Sequence, residues 1–186
     1  TIMGDKSWEQ NESFVVRAQL LDSEKNPIVG TENSGTVTIL NDDKANLLAA
    51  EKATGARSEV ELLTEDQLNP IVDEAIARWE AVLGAPIDLS GIDFQIMDFE
   101  GRGRGILGQT TPDMIYIDDD AAGWGWYVDE TPTDDTEFTV DGGDDADRMD
   151  LLTTVMHEIG HALGYHDTAA EADELMSATL DPGERY

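Results

Sequence analysis

His157-Glu158-Ile159-Gly160-His161-Ala162-Leu163-Gly164-Tyr165-His166-Asp167 is the stretch on which the reading of this chain turns. His157 and His161 stand at i and i+4, so on a helix they share one face, one turn apart. From there two imidazole nitrogens can converge on one small cation. The spacing is H-E-x-x-H, a helix-borne zinc motif. A catalytic zinc takes three protein ligands and leaves a fourth place for water. Glu158, between the histidines, can reach that water and accept its proton. The plainer reading is a solvated or core helix that happens to carry two histidines. Three features weigh against it. The chain has 3 histidines, and all of them fall in this short run. Gly164 sits where a helix would break and turn back. Met176 follows in Leu175-Met176-Ser177.

Taken together, these marks resemble the metzincin metallopeptidases, whose pattern is H-E-x-x-H-x-x-G-x-x-H followed by a Met-turn. The resemblance implies an α+β, zincin-like domain with a twisted mixed sheet, a backing helix, an active-site helix and a Met-turn. It also implies zinc as cofactor, Glu158 as general base, His157 and His161 as ligands, and Met176 as an apolar floor beneath the metal. There is one departure. The third ligand should be the third residue after Gly164, which is Asp167. The histidine comes one place early, as His166. Some metzincin-like families carry Asp at that place, so Asp167 is the positional choice. A turn one residue shorter would deliver His166 instead. A carboxylate ligand lowers the net charge of the site and should weaken zinc as a Lewis acid.

Composition narrows the partners. Among 186 residues, 41 are acidic and 11 basic, a net charge of −30. That disfavours nucleic acid and anionic membranes, both of which need Lys and Arg. It fits a highly soluble protein in salty water, or carboxylates clustered around divalent cations such as calcium. With no cysteine there is neither a disulfide nor a thiolate ligand or nucleophile. No apolar run approaches membrane-spanning length. The chain opens in mid-pattern on Thr1-Ile2-Met3, which suggests a piece of a larger multidomain protein.

Residues 1–45 read as β. Phe14, Val16, Ala18 and Leu20 alternate with Val15, Arg17, Gln19 and Leu21. Thr36–Leu40 forms a second strand, and turn residues near Asn26-Pro27 make a hairpin. The Glu12-Ser-Phe-Val-Val strand and the closing Gly35-Thr-Val-Thr-Ile-Leu-Asn-Asp-Asp resemble the closing half of a Calx-β repeat. That resemblance implies a calcium-binding β-sandwich of surface and adhesion proteins. Residues 46–61 read as a linker and 62–186 as the zinc domain.

Within that domain, Thr64-Glu65-Asp66-Gln67 is a capping-box match. Asn69 with Pro70 at the first helical position is the competing start. Leu68, Ile71, Val72, Ala75, Ile76, Trp79, Val82 and Leu83 make one helical stripe, and Gly84 and Pro86 end it. Ile92–Ile96 and Met114–Ile117 read as strands. Gly103–Gly108 spells G-x-G-x-x-G, yet Gln109-Thr110-Thr111-Pro112 cannot open the helix that a dinucleotide site requires. A bulged edge strand at Ile106–Thr110, able to align an extended peptide, is the better reading. Residues 121–145 suggest a loop over the active-site cleft, with Asp119, Asp120, Asp134, Asp135 or Asp141 holding calcium. No EF-hand loop is present. The active helix is expected to start near Asp144–Asp147.

Two functions follow. One is a secreted or cell-surface zinc endopeptidase acting on a protein or peptide substrate, in the manner of domains of large bacterial surface proteins. The other is a calcium-binding structural or adhesive surface module with a vestigial zinc site. Neither involves nucleic acid or insertion into a membrane.

Overall fold

The computed structural model describes residues 12–31, 33–39, 45–50, 60–99, 105–135, 147–168 and 174–186. The chain divides into two compact units, Thr1–Asp43 and Lys44–Tyr186. Each is described by itself.

The first unit is a hairpin. Strand β1 (Glu12–Ala18) pairs antiparallel with β2 (Asn33–Ile39), from Glu12 opposite Ile39 to Ala18 opposite Asn33. Its turn is built on Asp22, whose Oδ1 accepts the backbone N–H groups of Glu24 and Asn26. Every residue of this unit whose burial is described is exposed or half-buried. Val15 and Val16, on opposite faces of β1, are both exposed. A two-stranded ribbon gains little from hydrophobic burial and is marginal alone.

The second unit is α+β. Its strands are β3 (Ala45–Ala49), β4 (Asp93–Met97), β5 (Ile106–Thr110), β6 (Met114–Asp118), β7 (Trp126–Tyr127), β8 (Met149–Asp150) and β9 (Thr179–Leu180). Helices α1 (Glu65–Leu83) and α2 (Leu151–Ala162) pack on a five-stranded mixed sheet of order β4-β6-β5-β3-β9. β5 runs antiparallel to both its neighbours, while β4–β6 and β3–β9 are parallel pairs.

Two expectations change here. Residues 46–49 are not linker: Leu47 is 1% exposed, and β3 sits between β5 and β9. Nor is Ile106–Thr110 an edge strand. The bulge is real, because the register shifts between Leu47 and Leu48 opposite β5. But β5 is the middle strand, with its backbone bonded on both sides, so it cannot align a substrate by pairing.

α1 starts at Thr64, not at Asn69. Gln67 Oε1 accepts from the Thr64 N–H and hydroxyl. Pro70 lies inside the helix on the exposed side, where the carbonyl it leaves unpaired can be hydrated. The buried stripe is Leu68, Ile71, Ala75 and Trp79, and Val82 and Leu83 are exposed.

α2 starts at Asp150, later than expected. Asp150 Oδ2 accepts the Thr153 N–H, and Met149–Asp150 is extended in β8 against β7, while residues 144–146 lie outside the described residues. Every residue from Leu151 to His161 is buried. Such a helix contacts protein on all sides rather than presenting one apolar stripe.

Candidate metal centre

α2 ends in a Schellman turn. The Tyr165 N–H bonds to the Gly160 carbonyl and the Gly164 N–H to that of His161. Gly164 takes φ +94°, which a side chain would disfavour. This reversal brings Asp167 back over the helix face that carries both histidines.

Three atoms then converge. His157 Nε2 and His161 Nε2 are 2.8 Å apart. Asp167 Oδ1 lies 3.2 Å from the first and 3.1 Å from the second. The other ring nitrogens are occupied: His157 Nδ1 is 2.8 Å from the Leu175 carbonyl oxygen and His161 Nδ1 3.0 Å from that of Tyr165. Carbonyls only accept, so each Nδ1 carries a proton and each ring turns its Nε2 inward. His157 is 0% and His161 1% exposed. At 2.8 Å the two Nε2 atoms need a proton or a metal ion between them. Tetrahedral zinc ligands at ~2.0–2.1 Å stand roughly 3.3 Å apart. The triangle is close to one face of that tetrahedron, so the donors fit zinc.

Electrostatics agree with a cation-seeking site. Burial opposes charge on His161, but Asp167 and Glu158 outweigh it and raise its pKa. Burial also works against the Asp167 carboxylate, yet the two imidazoles hold it below the usual range. His166 is exposed and lies outside the converging group.

Glu158 occupies a different environment from the one its motif suggests. It is 0% exposed, and its carboxylate is turned into the sheet. Oε1 accepts the Leu47 N–H of β3 at 3.1 Å, and Oε2 accepts the Thr110 hydroxyl of β5 at 2.6 Å. Burial pushes its pKa up, against His157, His161 and these two donors.

Met176 lies under the helix. A Cβ on Gly160 would stand 2.5 Å from Met176 Sδ and 3.1 Å from Trp79 Cζ2. Gly160 is therefore a close-approach position. Trp79 is fixed there by its Nε1–H to the Met156 carbonyl. The Thr168 N–H bonds to the Met176 carbonyl, tying the ligand turn to the Leu175–Ser177 turn.

The calcium candidates scatter. Asp118, Asp119 and Asp120 stand close enough to share a cation. Asp135 instead pairs with Arg78 and Arg185, Asp134 is outside the group, and Asp141 lies outside the described residues. Trp124 and Tyr127 line a groove with Val60–Leu63, and residues 136–145 of the expected loop lie outside the described residues.

Burial, with Asp120 adding to it, pushes Asp118 up to about 7 although the Ala122 and Phe99 N–H groups pull the other way. Unfolded Asp titrates near ~3.9. Between those values the folded state binds the extra proton, so this group makes stability fall as pH rises. In EDTA, wild type should lose unfolding midpoint relative to Asp118→Asn from about pH 5 to 8. Parallel curves would remove Asp118 as the cause.

No protein-family model matches the chain, and neither a curated protein nor a solved structure matches it. Among the described residues, no helix is long and apolar enough to cross a membrane.

Proposed function

We propose that residues 44–186 form a metzincin-type, zinc-dependent endopeptidase domain, working outside the cell on protein or peptide substrates. The observation that carries this reading is the convergence of two buried Nε2 atoms on Asp167 Oδ1. His157, His161 and Asp167 would hold the zinc. When bound, the metal supplies a Lewis acid for the scissile carbonyl and lowers the pKa of water.

The chain's own residues handle the proton. Glu158 would accept it from the attacking water and pass it to the leaving amine. Its raised pKa suits a group that must take up a proton and release it again. Each carboxylate oxygen accepts a protein hydrogen bond. The hydroxyl of Thr110 and the N–H of Leu47 orient it. The Leu175 and Tyr165 carbonyls hold both rings in the tautomer that presents Nε2.

Glu158→Gln is the test. Gln can still accept the Leu47 N–H, and the Thr110 hydroxyl can rotate to accept from its amide. Fold and zinc affinity should therefore persist. Cleavage of a mixed peptide library should fall about 10²–10⁴-fold. Equal cleavage by both proteins would refute Glu158 as the base. Failure of wild type to take up zinc in calorimetry would refute the metal centre itself.

A further inference from the structure

We infer that Trp79 of α1 is a positioning residue for the proposed metal centre: its indole sets where the two histidine donors of α2 stand. The inference rests on the zinc reading above. Trp79 touches the chain beside each histidine. Its Nε1–H donates to the Met156 carbonyl at 2.9 Å, one residue before His157. Its Cζ2 lies 3.1 Å from where a Cβ on Gly160 would stand, one residue before His161. Its ring stacks on that of Tyr165, with centroids 5.1 Å apart and planes inclined by 26°. The Tyr165 carbonyl in turn accepts from His161 Nδ1 at 3.0 Å.

Filling space does not account for this set of contacts. Trp79 is 6% exposed, and a Leu or Phe could also fill a buried place on α1, but neither could bond to the Met156 carbonyl. Within α2 that carbonyl stands four residues before the Gly160 N–H, its ordinary helical partner. The indole bond is therefore a second one, not needed to satisfy the oxygen. Together with the tight approach at Gly160, it fixes the rotation of α2 about its own axis relative to α1. Both Nε2 atoms project from that axis, and the donors of a working site must be held to within about 0.5 Å. At the other end of the indole, Tyr165 is 42% exposed, so burial does not fix its ring. The stack on Trp79 restrains it, and with it the carbonyl that orients His161.

The test titrates the full chain with Co2+, whose visible absorption bands report the geometry of the ligands around it. Wild type should bind the ion with a defined spectrum. Trp79→Phe keeps a ring but loses the N–H, and Tyr165→Ala keeps the carbonyl but loses the stack. Each should weaken Co2+ binding about 10-fold, the low end of what loss of a ligand-orienting group costs, and should shift the bands. Tyr165→Phe, which keeps the stack, should restore both affinity and spectrum. Ile71→Val, on the same buried stripe of α1, should lose stability in urea yet bind Co2+ as wild type does. Failure of wild type to take up Co2+ or Zn2+ would overturn the metal reading and the inference with it. Uptake by wild type, with affinity and bands unaltered in both Trp79→Phe and Tyr165→Ala, would overturn the inference alone. So would equal weakening in Ile71→Val, which would reduce Trp79 to one more packed residue of α1.

Discussion

Arg185→Met is expected to lower the unfolding free energy by about 3–5 kcal/mol, because it strips the partner from two buried carboxylates. The Arg185 side chain is 4% exposed. Its Nη1 lies 2.6 Å from Asp129 Oδ2 and its Nη2 2.7 Å from Asp150 Oδ1, both side chains being 1% exposed. Arg185 Nε reaches the second Asp150 oxygen at 3.0 Å, completing a two-pronged contact. Methionine keeps much of the volume but none of the charge. Asp150 is also the N-cap of α2, so the loss falls on the first turn of the helix that carries His157 and His161. The backbone N–H of Tyr186 bonds to Thr153 Oγ1 and fastens the same turn. Urea denaturation would measure the change. A cycle with Asp129→Asn separates the pair from the packing. With Arg185 present, Asp129→Asn should be clearly destabilising. In the Arg185→Met background it should cost little or even help, a coupling of about 0.5–3 kcal/mol. Additive losses would show that the ion pair contributes nothing beyond its volume.

Arg185 carries no sequence signal, and that divides what could be read from what could not. The convergence of His157, His161 and Asp167 was legible because its determinants are local. Two histidines one helical turn apart, a glycine that reverses the chain, and a carboxylate three residues later all lie within eleven positions. The α1 stripe was legible for the same reason over Leu68–Trp79. It overran at Val82 and Leu83, where periodicity continues but the neighbouring surface does not. What sequence could not reveal depends on partners far along the chain. β3 lies in a polar, alanine-rich stretch without clear alternation. It is a strand because Leu47 meets Gly108 on β5 and Leu48 meets Thr179 on β9. β5 read as an edge because its glycines suggest a bulge. The pairing of β3 on its far side makes it central. The late start of α2 belongs here too, since β8 is extended only because β7 pairs with it. The antiparallel hairpin followed from local pattern, and the α+β class from the metzincin resemblance. Strand order did not.

Gly108→Ala is expected to cost about 1–3 kcal/mol and, in the proposed reaction, to reduce turnover about 10²-fold or more. A Cβ at position 108 would stand 2.6 Å from Glu158 Oε1, 2.7 Å from its Cγ and 2.9 Å from its Cδ. A flexible side chain elsewhere could swing aside. Glu158 cannot do so freely, because it is fully buried and held by Leu47 and Thr110 on either strand. Displacing it would strip a buried carboxylate of donors, and hydrogen bonds to charged groups are worth about 1.5–3 kcal/mol each. The proposed metal donors are other side chains, His157 and His161 on α2 and Asp167 in the turn after it, so zinc affinity should change much less than turnover. The decisive comparison needs no activity. In a Glu158→Ala background the carboxylate is gone, and Gly108→Ala should be nearly neutral in urea denaturation. If it is equally costly there, strand pairing rather than Glu158 requires the glycine, and the sheet does not position the base. If the cost vanishes, the middle strand belongs to the site as much as the helix does, because a glycine on β5 and a hydroxyl one turn of the pleat away set where the Glu158 carboxylate can stand.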